Sequence, residues 1–179
     1  MAVYTLLGAE RLAELIAGYD VGELASVKGI AEGVSNSNWL VETTAGRFIL
    51  PMYERRIDVA ELPFFLDLLD HLAGRGCAVP ATIHDRTGAS LRELDGKAVA
   101  LIEFLPGVSP TVPTPGQAHS VGAALASVHL ASRDFAGTRR DRLDPAATRA
   151  ILESCGPRLG DIDPALPEAL AWAREVTAR

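Results

Sequence analysis

The stretch Gly29-Ile30-Ala31-Glu32-Gly33-Val34-Ser35-Asn36-Ser37-Asn38 carries the most suggestive chemistry in the chain. Gly, Ser and Asn admit backbone conformations that most residues avoid. Consecutive amide N–H groups can therefore converge on an anion and hydrogen-bond phosphate oxygens. The stretch is not a Walker A loop, since no Gly-Lys-Ser/Thr follows, and not a dinucleotide fingerprint, since no helix follows. On local residues alone an ordinary hairpin loop outweighs the anion cradle. A second candidate is Ala100-Leu-Ile-Glu-Phe-Leu-Pro-Gly107, an apolar strand that enters a Pro/Gly connection. The end of such a strand exposes backbone donors and acceptors that an adenine edge can pair with. A plain core strand with Glu103 facing water explains it equally well.

Other constellations say less. Cys77 and Cys155 are far apart without a metal-ligand spacing, which reads as two reduced thiols rather than a disulfide or zinc scaffold. Arg133, Arg139, Arg140 and Arg142 interleave with Asp134, Asp141 and Asp144. An anion clamp fits them, but mixed signs in a loop read first as a solvated connection. Lysine occurs only at 28 and 97.

Composition narrows the field. The 179 residues hold 23 acidic against 17 basic side chains, a net charge of −6, with 48% hydrophobic residues. That suits one domain, or one and a fraction, with a real core. An acidic balance with 6% aromatics speaks against a nucleic-acid surface. No apolar run approaches a bilayer span, and the N-terminus lacks the basic-then-apolar order of a secretion signal. The expectation is a cytoplasmic protein acting on something small, with no nucleic-acid or membrane partner.

Periodicity then supplies the elements that would position the candidates. A helix is predicted over 10–17, followed by strands over 23–30, 38–43 and 47–53; their short connections imply antiparallel neighbours. A helix with Leu62, Phe65, Leu69 and Leu72 on one face follows, starting near Leu62 because Pro63 interrupts a start at Asp58. Short strands are expected over 81–84 and 91–94, a hairpin turn at Asp95-Gly96, and one strand over 97–105. Thr114-Pro115-Gly116-Gln117 supplies a capping box with proline at the first helical position. The helix it opens is predicted to bury Val121, Leu125, Val128 and Ala131, with His129 packed beside them. Asp144-Pro145 and Asp163-Pro164 open two more helices, and Val108–Pro115 reads as a hinge.

This order of elements resembles the protein-kinase-like fold, within it the aminoglycoside-phosphotransferase and choline-kinase superfamily, and most closely the homoserine kinases. The matching residues are Gly33-Val-Ser-Asn-Ser-Asn-Trp-Leu-Val41, Arg47-Phe-Ile-Leu50 with Tyr53-Glu-Arg-Arg56, Leu62-Pro-Phe-Phe-Leu66, Leu101-Ile-Glu-Phe-Leu-Pro-Gly107 and Ala124-Leu-Ala-Ser-Val-His129. The resemblance implies an α+β fold, with a nucleotide-binding lobe over 1–105 and a hinge plus the first helices of an incomplete helical lobe over 106–179. It implies ATP-dependent phosphorylation of the homoserine hydroxyl, with Mg2+ as cofactor, as a step towards threonine. Gly33, Val34, Ser35, Asn36, Ser37 and Asn38 would cover the ATP phosphates, and Glu103, Phe104 and Leu105 would present backbone groups to adenine. Such enzymes act by positioning and by offsetting charge on the transferring phosphoryl group.

Two departures from the family pattern stand out. The third strand, Phe48-Ile-Leu-Pro51-Met52, carries no cation for the phosphates, and Pro51 removes a ladder donor, which places it at an edge or a bulge. Arg55 or Arg56, with Glu61 as helix partner, are the candidate replacements; solvated surface charge is the plainer reading of them. The family's catalytic His-x-Asp-x-x-x-x-Asn also has no match, since His71, His84, His119 and His129 all lack an Asp two residues on. No catalytic or metal-binding residue is assigned, and the Mg2+ ligands are expected in a segment following this one. Choline, ethanolamine or an aminoglycoside as acceptor, and a non-catalytic nucleotide-binding module, are the alternative readings.

Overall fold

Leu12, Leu15 and Ile16 recur on one face of helix α1 (Ala9–Ile16), and that face is buried. The computed structural model describes residues 7–31, 36–54, 58–139, 141 and 144–177. The chain divides into two units, Met1–Gly137 and Thr138–Arg179. The lobe boundary expected at 105/106 lies inside the first unit, at the start of an irregular connection.

The sheet comprises β1 (Leu24–Ile30), β2 (Asn36–Thr43), β3 (Gly46–Tyr53), β4 (Thr82–Ile83), β5 (Arg92–Leu94), β6 (Lys97–Val99) and β7 (Leu101–Glu103). All pairings are antiparallel, in the order β1-β2-β3-β6-β5, with β7 also on β3 and β4 on β7. Successive strand side chains point to opposite faces, so alternate residues reach the core. Trp39 and Val41 of β2, Leu50 and Met52 of β3, Val99 and Leu101 pack with the α1 face and Tyr19 in one buried cluster. Asp95 (φ 51°) and Gly96 (φ 76°) both take positive φ in the β5–β6 turn, the geometry that two-residue hairpins favour.

Pro51 departs from expectation. It lies neither at an edge nor at a bulge of β3, but inside a strand flanked on both sides, opposite Asn38 of β2. The register on the other side (Met52 with Val99, Ile49 with Ile102) sets Pro51 opposite Ala100. The Ala100 amide donates to the Pro51 carbonyl at 3.3 Å, and proline has no N–H to return. Half of a two-bond pair is lost there, and the predicted single strand over 97–105 is split at Ala100 into β6 and β7.

Asp58 caps a 3-10 turn, Val59–Glu61, by accepting from the Ala60 amide at 3.1 Å. Helix α2 (Leu62–Gly74) begins next, with Pro63 in its first turn where no helical hydrogen bond is lost. Its buried residues are Leu62, Leu66 and Leu72, whereas Phe65 is 41% exposed. The Thr114–Gln117 capping box of α3 (Pro115–Ala131) forms as expected. The predicted buried stripe does not: Val121 is 68% and Leu125 53% exposed. Val128 and Ala131 are half-buried, and His129 is exposed rather than packed. A helical period identifies an apolar face but not what covers it. Among the described residues, the contacts that tie α3 down gather at its end. His71 Nε2 donates to the Ala131 carbonyl at 2.9 Å, Arg75 pairs with Asp134, and the Phe135 ring packs edge-on against Phe64 and His71.

In the second unit, Asp144 caps α4 (Pro145–Ser154), accepting from the Ala147 amide at 2.6 Å. A short α5 (Leu159–Ile162) follows, and Asp163 closes a turn before α6 (Leu166–Thr177), which starts later than Asp163-Pro164 suggests. Arg174 links α6 to Glu153 of α4 at 3.0 Å.

Candidate functional site

Strand alternation gives the sheet two unlike faces. One lies on α1. The other carries Lys28, Leu40, Ile49, Ile102 and Thr82 as one row across β1-β2-β3-β7-β4, since these residues are direct cross-strand partners. The rows on either side hold Ile30, Asn38 and Pro51, and Ser26, Glu42 and Arg47. Neighbouring rows are two residues, about 7 Å, apart along a strand. Helix α2 covers the β4 end of this face: Asp70 Oδ1 accepts from the Thr82 amide at 3.0 Å. Burial falls accordingly, from buried Thr82 through half-buried Ile102, Ile49 and Leu40 to exposed Lys28.

Of the predicted phosphate loop, Gly33, Val34 and Ser35 lie outside the described residues, as does Arg55. Asn36, Ser37 and Asn38 belong to β2, which starts two residues earlier than predicted. Asn36 and Asn38 share the face away from α1. The Asn36 carboxamide oxygen is buried without a hydrogen-bond partner among the described residues. Ser37 points the other way. It is fully buried, its hydroxyl donates to Glu54 Oε1 at 2.7 Å, and its backbone pairs with Met52 of β3, so it offers nothing to a ligand on the open face. Glu54 in turn pairs with Lys97. One of the two lysines is thus engaged on the core side, tying the ends of β2, β3 and β6 together. Alternation from Met52 and Val99 could have found this pair; spacing along the chain could not.

At the other end of the face, the Arg47 guanidinium stands over the Phe104 ring, 4.5 Å from its centroid. The Glu103 amide is taken by the Ala81 carbonyl at 2.9 Å, and the Glu103 carboxylate accepts from the Ala81 amide at 3.3 Å. Glu103 is therefore a strand-pairing residue whose N–H is not on offer. Because the Glu103 N–H points to the β4 side, alternation turns the Phe104 amide toward its register partner Arg47 on β3, and the Leu105 amide is the one left for an incoming edge. Glu61 lies half-buried at the end of the 3-10 turn before α2 and has partners of its own. Tyr53 shares the open face, and burial raises its phenol pKa, so it is a neutral hydrogen-bonding group. Among the described residues no cluster of His, Cys, Asp and Glu is arranged to hold a metal ion. The Mg2+ that the resemblance implies has no ligand set there. No helix among them is long and apolar enough to cross a membrane.

The face thus offers carboxamide groups at one end, a cation-stacked aromatic with an open amide beside it at the other, and apolar residues between. That suits an elongated ligand with an anionic end and a flat end.

Residues 26–179 match the family described as phosphotransferase enzyme family (APH). The chain is 46% identical to a homoserine kinase of Nitrobacter winogradskyi over 170 residues, 95% of this chain and 52% of that protein. It is 46% identical to one of Azorhizobium caulinodans, covering 93% of this chain and 52% of the relative. The homoserine kinase of Acidiphilium cryptum is 43% identical over 99% of this chain and 56% of its own length. The chain spans about half the length of the relatives it matches. Among solved structures, a spectinomycin phosphotransferase in complex with ADP and spectinomycin superposes with a TM-score of 0.65 at 15% identity, over 86% of this chain and 48% of that one. A microcompartment-associated aminopropanol kinase gives 0.59 at 23% identity, over 85% and 48%. At these identities the structures establish a shared fold, the mixed α+β, protein-kinase-like one.

Proposed function

The chain belongs to the phosphotransferase enzyme family, and on that premise we propose that it is the nucleotide-binding part of an ATP-dependent homoserine kinase. The observation that carries this reading is the run of homoserine kinases at 43–46% identity over nearly the whole chain. The geometry supports it. The triphosphate would lie at the Asn36–Asn38 end of the open face, where the carboxamides of Asn36 and Asn38 stand and β3 carries no cation. Adenine would lie at the Phe104–Leu105 end. Residues 1–105 would form the nucleotide lobe and 106–179 the hinge and first helices of the second lobe. Catalysis by such a protein is positioning and charge compensation, and ATP is its second substrate. Mg2+ would be held by residues other than those described here.

The sequence contains no His-x-Asp, so the base that orients the acceptor hydroxyl is not assigned to any residue named here. In the cell the product would serve threonine formation in the cytoplasm.

The test has two arms. The full reading frame containing this chain, given ATP, Mg2+ and a panel of hydroxyl acceptors, is expected to phosphorylate homoserine ahead of choline, ethanolamine and spectinomycin. Another acceptor preferred over homoserine would replace the substrate assignment. The 179-residue chain alone is expected to gain thermal stability with ATP, as any native-state ligand confers, without forming phosphohomoserine. Turnover by it would overturn the division of labour proposed above.

A further inference from the structure

A triphosphate needs positive charge nearby, and this chain carries a net charge of −6. Strand β3 supplies none on the open face near the phosphate end: its residues there are Ile49, Pro51 and Tyr53. Lys97 faces the core side and is held by Glu54. Arg47 is on the open face but sits over Phe104, at the opposite end. Lys28 remains. Its neighbour Val27 packs on the core, so alternation turns Lys28 to the open face, beside Leu40. It is exposed, and it makes no hydrogen bond or ion pair with any described residue. Its row lies one step, about 7 Å along the strands, from the Ile30–Asn38–Pro51 row and one step from the Arg47 row. That is the middle of the face, between the two ends assigned above.

We propose that Lys28, on the first strand, is the cation that holds the nucleotide phosphates in this protein. The inference rests on the nucleotide-site reading above and goes beyond it by moving the phosphate charge from β3 to β1. Once Pro51 occupies β3, the face retains one uncommitted described cation, and a flexible lysine stem can bring a point charge to the phosphates from a neighbouring strand. The competing explanation is that Lys28 only blunts β1, an edge strand, against pairing with other chains.

Calorimetric titration of the full chain with ATP and with adenosine separates the two. Lys28→Met is expected to weaken ATP binding roughly tenfold to a hundredfold, the worth of one charge-assisted hydrogen bond. Adenosine binding should be unchanged, and Lys28→Arg should restore most of the ATP affinity. Lys28→Glu keeps a charged edge, so under the edge explanation it would bind ATP like the wild type; under the proposal it binds more weakly than Lys28→Met. Arg11→Met, the same charge change at an exposed site on α1 behind the opposite face, should leave ATP affinity unaltered. Unchanged ATP affinity in Lys28→Met, or an equal loss in Arg11→Met, overturns the proposal. If Lys28→Met fails to fold, Lys28→Gln carries the same comparison. A wild-type chain that binds neither ATP nor adenosine defeats the nucleotide-site reading itself, and the Lys28 assignment with it.

Discussion

His84 and Asp85 are adjacent and respond to pH in different ranges. Both His84 nitrogens face acceptors: Nδ1 meets the Gly88 carbonyl at 3.0 Å and Nε2 meets Asp70 at 2.6 Å. Only the imidazolium donates to both, so the Gly88 carbonyl first, and Asp70 after it, raise the pKa. A folded-state pKa above the unfolded one gives stability that is complete below about pH 6.5 and is lost as pH rises through the folded value. Because the ring is substantially exposed, the effect is under about 1 kcal/mol. The expected result is a small decline in melting temperature as pH rises above about 6.5, absent in His84→Gln. Asp85 works in the acid range. Its carboxylate accepts from the Thr87 hydroxyl at 2.7 Å, the Ala89 amide at 2.9 Å, the Thr87 amide at 2.8 Å and Arg92. These donors, the Thr87 hydroxyl foremost, hold its pKa well below the usual carboxylate range. Its contribution is therefore present above about pH 4 and lost as pH falls through the folded value. Asp85→Asn is expected to melt lower at neutral pH and to show a flatter acid limb; an unchanged acid limb would place the acid sensitivity elsewhere.

At the scale of elements, local chemistry was legible and pairing partners were not. The Asp95-Gly96 turn, the Thr114–Gln117 box and the Asp144 cap act within four residues, so sequence alone locates them. The outward face of Asn38 likewise follows from a period of two, whereas Asn36 was read as loop and lies on β2. Pro51 was misjudged because its tolerance depends on which neighbour faces its missing N–H, and that neighbour, Ala100, is 49 residues away. The α3 stripe was misjudged because burial is a property of two surfaces. Two expectations follow. Ile16→Ala removes a fully buried side chain from the α1–sheet core, and should cost about 2–5 kcal/mol in urea unfolding; a smaller loss would show α1 to be peripheral. Pro51→Val restores one hydrogen bond, worth about 0.5–1.5 kcal/mol, and gives up proline's restriction of the unfolded chain, worth about 0.4–1 kcal/mol. The two nearly cancel, so stability should stay within about 1 kcal/mol of the wild type. A much larger loss would mean that the split at Ala100 is an adaptation rather than a tolerated gap.

At the scale of the whole molecule, the two units have unequal means of holding themselves together. The first buries an extended cluster from α1, β2, β3, β5, β6 and β7. The second has about forty residues, a size at which a core alone rarely suffices. Of its described apolar side chains only Leu159 and Ala173 are buried, while Ile151, Ile162 and Trp172 stand exposed. Its stability rests on short helices with caps and on the Arg174–Glu153 pair, worth little at a surface. It should therefore open at lower free energy than the sheet, as regions with few buried apolar contacts do. Hydrogen exchange followed by mass spectrometry across a urea series would resolve this. Protection in α4 and α6 is expected to vanish well before protection in β2 and β3. Trp39, at 5% exposure, supplies an independent optical reading of the sheet, whereas Trp172, at 65%, changes little on unfolding. In Trp172→Phe the fluorescence midpoint should accordingly match the exchange midpoint of β2 and β3 and lie above that of α6. Coincident loss of protection in all four elements would show instead that the second unit draws its stability from the first and unfolds only with it.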